Sequence, residues 1–163
     1  MSWARDLERV RRLPPTEQLL VVEAIVWLAL SRAAISALPF RRVAAWLRLV
    51  QFDPADLVAA DPVGDGSCVP AEAVIEAVGR AVRGAAARTP WASTCLVQSL
   101  AAHIMLARRR VPSVVYLGVA KDPSGELVAH SWLRCGGDIV TGGGAASTFS
   151  PIASYQRAIA AGC

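Results

Sequence analysis

The C-terminal half of the chain changes from a helical pattern to three successive strand patterns joined by very short turns. From Thr94 to about Arg109 the apolar residues recur at helical spacing. Segments rich in β-branched and aromatic residues follow at 113–120, 126–135 and 138–142, joined by "KDPSG" and "GG". Such short turns connect neighbouring antiparallel strands. The sequence therefore predicts an α+β fold in which a helix packs on a small antiparallel sheet.

The N-terminal half has the spacing of helices. One helix is predicted over residues 16–38, where Pro39 ends it, and a second over residues 40–50. Residues 51–70 contain several Pro, Gly and Asp residues and indicate a linker, and helical spacing resumes over 71–88. Apart from this linker, residues 1–89 look wholly helical. We expect an N-terminal helical region at 1–68 and a catalytic region at 69–163, together forming one compact unit.

The composition excludes several classes of protein. The chain has 163 residues, 54% of them hydrophobic, which fits a packed globular core. The most apolar run, "LLVVEAIVWLAL", contains Glu23 and is shorter than the roughly 20 residues of a membrane span, so we predict a buried helix and no span. The start of the chain lacks a secretion signal, which favours a cytoplasmic protein. The net charge of +4 comes mainly from arginine, and we do not expect nucleic-acid binding.

The four cysteines are Cys68, Cys95, Cys135 and Cys163, and no two form a CxxC pair. With only two histidines in the chain, this spacing does not predict a metal site, and the expected chemistry needs no cofactor. Disulfides are not expected in a reducing compartment. Cys95 lies in the first turn of the helix predicted from Thr94.

A cysteine in the first turn of a helix lies in a positive field that favours thiolate. Ser93 or Thr94 offers a capping oxygen just before Cys95. The free N–H groups at such a helix start, including that of Cys95, can also face a developing oxyanion. This pattern is typical of a nucleophile, although a buried cysteine can equally be a small apolar filler.

The two histidines differ in their distance from Cys95. His103 lies eight residues farther along the same helix, about 12 Å along its axis, and cannot contact Cys95. We interpret it as a packing or surface residue. His130 lies in the second predicted strand, on one face with Trp132, and that strand can pack against the helix start. His130 is the candidate general base, with a core or edge-strand histidine as the alternative.

The segment 90–133 closely resembles the transglutaminase-like leader peptidases of lasso-peptide biosynthesis. The matching residues are Pro90-Trp91, Thr94-Cys95-Leu96, Ser99-Leu100-Ala101, Arg109-Arg110, Pro112, Gly118-Val119, Lys121 and Ala129-His130-Ser131-Trp132. The earlier "LPFRRVAAWL" is also similar to the N-terminal helical region of that family. The resemblance is strongest over 90–142.

The resemblance implies a transglutaminase-like, papain-like fold and a cysteine protease. This hydrolase would remove the leader from a ribosomally synthesised lasso-peptide precursor, a step in antibiotic biosynthesis. Its partners would be the precursor peptide, a separate leader-binding protein and the lasso cyclase, a macrolactam synthetase. Because residues 1–89 look helical, we expect a standalone protease without a fused leader-binding domain.

The third member of the site is the least determined. We expect Asp138 to orient His130, but a two-residue turn at Gly136-Gly137 would place Asp138 opposite Cys135, about 16 Å from His130. In that register Gly142 and Gly143 fall opposite His130. Either the strand bulges so that Asp138 approaches, or the acceptor is a backbone carbonyl, Thr141 or another group.

Two tryptophans, Trp91 and Trp132, flank the proposed dyad in sequence. They are candidates to line a substrate groove, with packing in the core as the alternative.

Two other functions also fit the pattern. One is an acyl or amide transferase with the same thiol and imidazole, and the other is a non-catalytic peptide-binding scaffold.

Overall fold

The computed structural model describes residues 11–53 and 69–157. Most of the linker expected at 51–70 lies outside these residues, and so do Cys68 and Cys163. The described part consists of helices packed on one five-stranded sheet, which confirms the predicted α+β fold.

Four α-helices are assigned within the described residues. They are α1 (Pro15–Ala37), α2 (Phe40–Trp46), α3 (Val69–Ala86) and α4 (Cys95–Arg108). Helix α1 begins with a proline at its first position, where the missing N–H is not needed. It ends at extended Leu38, because a residue before a proline is driven out of the helical region.

The sheet contains β1 (Leu49–Phe52), β2 (Val114–Lys121), β3 (Leu127–Cys135), β4 (Asp138–Thr141) and β5 (Ser150–Arg157). Their order across the sheet is β1-β5-β2-β3-β4, and each neighbouring pair is antiparallel. Strands β2, β3 and β4 match the predicted segments to within one residue at each end. The predicted meander therefore forms one side of the sheet.

Two strands differ from the sequence prediction. Strand β1 lies where the second helix was expected to continue, and it pairs with β5, so residues 1–89 are not wholly helical. Helix α2 ends at Trp46, and Arg48 then adopts a φ of 54°, which stops the helix and redirects the chain. Strand β5 was not predicted. It lies between β1 and β2 and joins the N-terminal and C-terminal parts into one sheet.

The two faces of the sheet carry separate hydrophobic clusters. Helices α1, α3 and α4 cover one face, where Val115, Leu133 and Cys135 contribute to the main core. Side chains alternate along a strand, so Tyr116 and Trp132 point to the other face, where they form a smaller cluster with Val114 and Ala146. The helix that carries Cys95 therefore packs on the Leu133 face.

Helix α1 matches the helix predicted over residues 16–38, but the prediction that its apolar run is buried is wrong, because Leu19, Val22 and Leu30 are each more than half exposed. It is the one helix in the described residues that is long and apolar enough to cross a membrane, and a single helix of this kind near the N-terminus is weak evidence of a span. Ala24 and Leu28 are fully buried in the main core. Its Glu23 forms ion pairs with Arg108 and Arg109 at the end of α4. These contacts fit a helix packed on a globular domain.

Candidate active site

Cys95 is the first residue of α4 and is partly buried. Thr94 precedes it in an extended conformation, and no side chain caps the helix start, so the expected hydroxyl cap is not formed. The first N–H groups of a helix have no partner within the helix. The start of α4 therefore keeps N–H donors that are not used by a side-chain cap beside the Cys95 thiol.

The segment before Cys95 is held by its own polar groups. The Ser93 hydroxyl shares a 3.0 Å hydrogen bond with the Thr89 hydroxyl. The Gln98 side chain donates from Nε2 to the Ser93 carbonyl at 2.8 Å. Gln98 thus reaches back across the helix start and fixes the loop that leads into Cys95.

His130 forms a hydrogen bond of 2.8 Å between its Nε2 atom and the carbonyl oxygen of Gly142. A carbonyl oxygen only accepts, so Nε2 must carry the proton. In a neutral imidazole the other nitrogen, Nδ1, then has a free lone pair. The Gly142 carbonyl therefore selects the tautomer in which Nδ1 can act as the base.

Asp138 is not brought to the imidazole. Asp138 pairs with Cys135 across the Gly136-Gly137 turn, as the two-residue hairpin predicts. Cys135 lies five residues along β3 from His130, so Asp138 lies equally far from the imidazole along the strand. The pairing shifts by one residue between Leu133 and Arg134, but the shift moves Thr141 and not Asp138. The orienting contact therefore belongs to the Gly142 backbone and not to the expected Asp138 carboxylate.

Gly142 occupies a conformation that suits only glycine. Its φ is +78°, and a Cβ atom there would lie 2.5 Å from the Ser131 carbonyl oxygen and 2.9 Å from Cβ of Trp132. The chain therefore turns closely against β3 at this point. This close approach puts the Gly142 carbonyl within reach of His130.

The end of β4 is also attached to α4. The Ser99 and Thr141 hydroxyl groups share a hydrogen bond of 3.3 Å between buried side chains. In addition, the guanidinium of Arg83 on α3 donates to the carbonyl of Val140. Both contacts fix the residues that lead directly into Gly142.

The aromatic residues around His130 form a stack. Trp132 lies between Tyr116, at 5.5 Å between ring centroids, and His130, at 6.2 Å. Phe149 contacts the imidazole at 4.9 Å. Trp132 is only 5% exposed, which leaves little of its surface for a substrate. Its main contacts are packing contacts that restrain the His130 ring.

Trp91 lies in the segment before α4 and is partly buried. Its indole Nε1 is buried without a hydrogen-bond partner in the described part of the chain. An unsatisfied buried donor costs free energy, so the site carries an unused hydrogen-bonding group next to the start of α4.

Cys95 and His130 share no hydrogen bond within residues 11–53 and 69–157. Alternation along β3 places His130 and Trp132 on the face opposite the one that packs against α4. In the part of the chain that the structure describes, β4 pairs only with Leu133, Arg134 and Cys135, so β3 has no partner strand on that side at His130. The partly buried imidazole therefore lies at the edge of the sheet, beyond the last residue of β4.

The other histidine and the other described cysteine are buried away from this edge. His103 is 2% exposed and shares a 2.9 Å hydrogen bond with the Ser113 hydroxyl. Burial, together with the charge of Arg157, lowers the pKa of His103 to about 4. Burial, with the charge of Asp138, raises the pKa of the Cys135 thiol. Neither group is suited to base or nucleophile chemistry near neutral pH.

The roles of Gly142, Ser99 and Thr141 at this site could hardly be predicted from the sequence. A backbone carbonyl such as that of Gly142 has no side chain to mark it, and only the glycine run gives a signal. Ser99 and Thr141 are 42 residues apart, and their contact depends on how α4 packs on β4.

In the described residues, no cluster of three or more His, Cys, Asp or Glu side chains has the arrangement of a metal site.

Comparison with known proteins gives one match. No curated protein and no solved structure matches the chain. The sequence model of the transglutaminase-like superfamily matches residues 34–154, a range that contains strands β1, β2, β3 and β4, the first part of β5, and both Cys95 and His130. This match supports a function of the cysteine protease or transferase type. The chain belongs to the transglutaminase-like superfamily.

Proposed function

We propose that this protein is a cysteine peptidase that removes the leader from a lasso-peptide precursor. Cys95 is the nucleophile and His130 is the general base. The observation that carries this proposal is the hydrogen bond from His130 Nε2 to the Gly142 carbonyl, because it leaves Nδ1 free to accept a proton. The resemblance of residues 90–142 to leader peptidases supplies the substrate class.

The reaction proceeds in two steps. The Cys95 thiol transfers its proton to Nδ1 of His130, and the thiolate attacks the carbonyl carbon of the amide between leader and core. The imidazolium then protonates the leaving amine and the core peptide departs. Water, deprotonated by His130, hydrolyses the thioester and releases the leader with a carboxylate end. N–H groups at the start of α4 stabilise the oxyanion in both steps.

Because alternation places His130 on the face of β3 opposite α4, the proposal requires the imidazole to reach the Cys95 thiol past the end of β4 when a peptide binds. Catalytic hydrogen bonds in free enzymes are often long and tighten only with substrate bound. His130 is partly buried and has no partner strand on the β4 side of β3 in the described residues, where the Gly142 carbonyl holds its Nε2 atom and leaves Nδ1 unbound by that contact. We infer that the bound precursor brings Cys95 and His130 together. A separate leader-binding protein delivers the precursor, and the lasso cyclase acts on the core peptide after cleavage.

The test combines the purified chain with precursor peptide and leader-binding protein, and mass spectrometry detects leader and core. Cys95→Ala and His130→Gln should abolish cleavage. Cys135→Ala is the matched control and should cleave normally, because its thiol is buried and donates to the Pro112 carbonyl. Cleavage by Cys95→Ala at the wild-type rate would overturn the proposal.

The same assay distinguishes the two other functions. A transferase would give a leader whose mass includes an added amine, whereas a peptidase gives the free acid. A binding scaffold would retain the precursor without cutting it. Alkylation of Cys95 by iodoacetamide at pH 6, in a Cys68→Ala/Cys163→Ala background, should be slower in His130→Gln if the two residues act as a dyad.

A further inference from the structure

The hydrogen bond between Ser99 and Thr141 is buried completely. Ser99 is 0% exposed and Thr141 is 1% exposed, and their hydroxyl oxygens lie 3.3 Å apart. Each hydroxyl can donate and accept, so the pair satisfies polar groups that would otherwise be costly to bury. This contact joins α4 to the last residue of β4.

Ser99 lies one helical turn from Cys95. Residues four apart in a helix share a face, and at about 1.5 Å per residue the two are separated by about 6 Å along the axis. The contact with Thr141 therefore fixes the same side of α4 that presents Cys95. Only one turn of helix separates the anchor from the proposed nucleophile.

Thr141 lies directly before Gly142, whose carbonyl accepts the hydrogen bond from His130. Gly142 has a φ of +78°, so the chain changes direction immediately after the anchored residue. The direction of the Gly142 carbonyl thus depends on where Thr141 is held. A displaced Thr141 would move the acceptor away from Nε2.

We propose that Ser99 and Thr141 are positioning residues that set the tautomer of His130 through Gly142. Continuous contacts run from Cys95 along one helical turn to Ser99, across the hydrogen bond to Thr141, and through Gly142 to the imidazole. The pair therefore couples the position of the proposed nucleophile to that of the proposed base. Its consequence for catalysis rests on the proposed function, whereas its effect on the ring can be measured without any substrate.

The experiment measures the His130 ring by ¹H–¹⁵N NMR at pH 8, with His103 as an internal reference. Wild type should show His130 mainly protonated at Nε2. Thr141→Val keeps the shape of the side chain but removes the hydroxyl, and it should shift His130 towards a mixture of tautomers. Thr141→Ser restores a hydroxyl and should restore the wild-type spectrum. Thr148→Val, at an exposed threonine of the next turn, is the matched control.

The kinetic readout separates positioning from stability. We expect Thr141→Val to lower kcat by about tenfold or more with little change in KM, since the catalytic base is displaced and the peptide contacts are kept. Ser99→Ala should act in the same direction. The double variant should be no worse than the poorer single variant, because both changes remove one hydrogen bond.

An unchanged His130 tautomer in both Thr141→Val and Ser99→Ala would overturn this proposal, even if the wild-type protein cleaves the precursor. A shifted tautomer in a protein that cleaves nothing would support the positioning role and count against the peptidase. If Thr141→Val does not fold, Ser99→Ala alone decides by the same criterion.

Discussion

Arg109 binds Glu23 through two contacts, from Nη1 to Oε1 at 3.2 Å and from Nη2 to Oε2 at 2.6 Å. The pair connects the C-terminal end of α4 to the middle of α1, and Arg108 adds a third contact to the same carboxylate at 3.3 Å. Helix α1 lies mostly before the matched family range, which begins at residue 34. This ion pair therefore attaches a largely additional helix to the family domain.

Glu23→Gln should lower the free energy of unfolding by about 1 kcal/mol, because the partly buried Arg109 would lose its charged partner. Urea denaturation at low salt measures this loss, and it should shrink in 1 M NaCl. Glu72→Gln, at an exposed position in the first turn of α3, is the control. An equal effect of salt on wild type and Glu23→Gln would contradict the role of the ion pair.

Glu23 also contributes to acid sensitivity. Burial raises the pKa of its carboxyl, but the hydrogen bond and charge of Arg109, with Arg108, outweigh burial and lower the pKa overall. A carboxyl with a lowered pKa in the folded state stabilises the protein above its unfolded pKa, and this stability is lost as the pH falls below about 4.5. Wild type should therefore lose more stability than Glu23→Gln between pH 5 and pH 3.

His103 should make stability depend on pH in a higher range. Its pKa is about 4 in the folded protein, whereas an unfolded histidine titrates near 6.5. The unfolded chain then binds more protons between these values, so stability falls as the pH drops from about 6.5 to 4, by about 3 kcal/mol in all. Urea denaturation at pH 7 and pH 5 measures this slope.

A variant of the buried histidine provides the control for that measurement. His103→Gln should flatten the dependence on pH between 7 and 5. The same slope in His103→Gln as in wild type would rule out the buried histidine as its origin.

Gly142→Ala should reduce both activity and stability. Its Cβ atom would lie 2.5 Å from the Ser131 carbonyl, and its φ of +78° is unfavourable for alanine, at a cost of about 1–3 kcal/mol. The chain must shift to relieve this contact, which moves the carbonyl that accepts from His130. We expect precursor cleavage to fall about tenfold or more.

Gly144→Ala is the control for Gly142→Ala, because a Cβ atom at Gly144 would have no neighbour within 4 Å. Cleavage rates and melting temperatures of the two variants give the comparison. Equal activity in both would show that the Gly142 carbonyl does not orient the base.

Trp132→Ala should destabilise the protein by about 3–5 kcal/mol, because Trp132 is buried on the second face of the sheet. Its ring also covers Gly118, where a Cβ atom would lie 2.8 Å from the indole. Trp91→Phe should cost much less, since it removes a buried N–H that has no partner in the described residues. Thermal denaturation gives both values, and a larger loss for Trp91→Phe would reverse our assignment of the packing residue.

The parts of the fold that local chemistry determines were predictable. The short turns and alternating residues specified β2, β3 and β4, and the Gly136-Gly137 turn specified the pairing of Cys135 with Asp138. Strand β1 was hidden because apolar residues keep helical spacing past Trp46, while the positive φ of Arg48 has no sequence signal. Strand β5 was hidden by Pro151, a residue that argues against a strand.

In the candidate site, too, some features were predictable from the local sequence and others were not. The position of Cys95 at a helix start follows from the pattern of its own segment. The acceptor for His130 does not, because it depends on a one-residue pairing shift in β4 and on a backbone atom. Contacts made across elements, such as that between Ser99 and Thr141, require the packed structure.

Strand β5 has a consequence for how the protein assembles during synthesis. It pairs on one side with β1 and on the other with β2, so Leu49 lies opposite Arg157. While the ribosome is still making residues 150–157, both neighbouring strands have an unpaired edge, and exposed edges favour aggregation. The nascent chain therefore stays vulnerable until β5 emerges, and a chaperone that shields strand edges would protect it most before that stage.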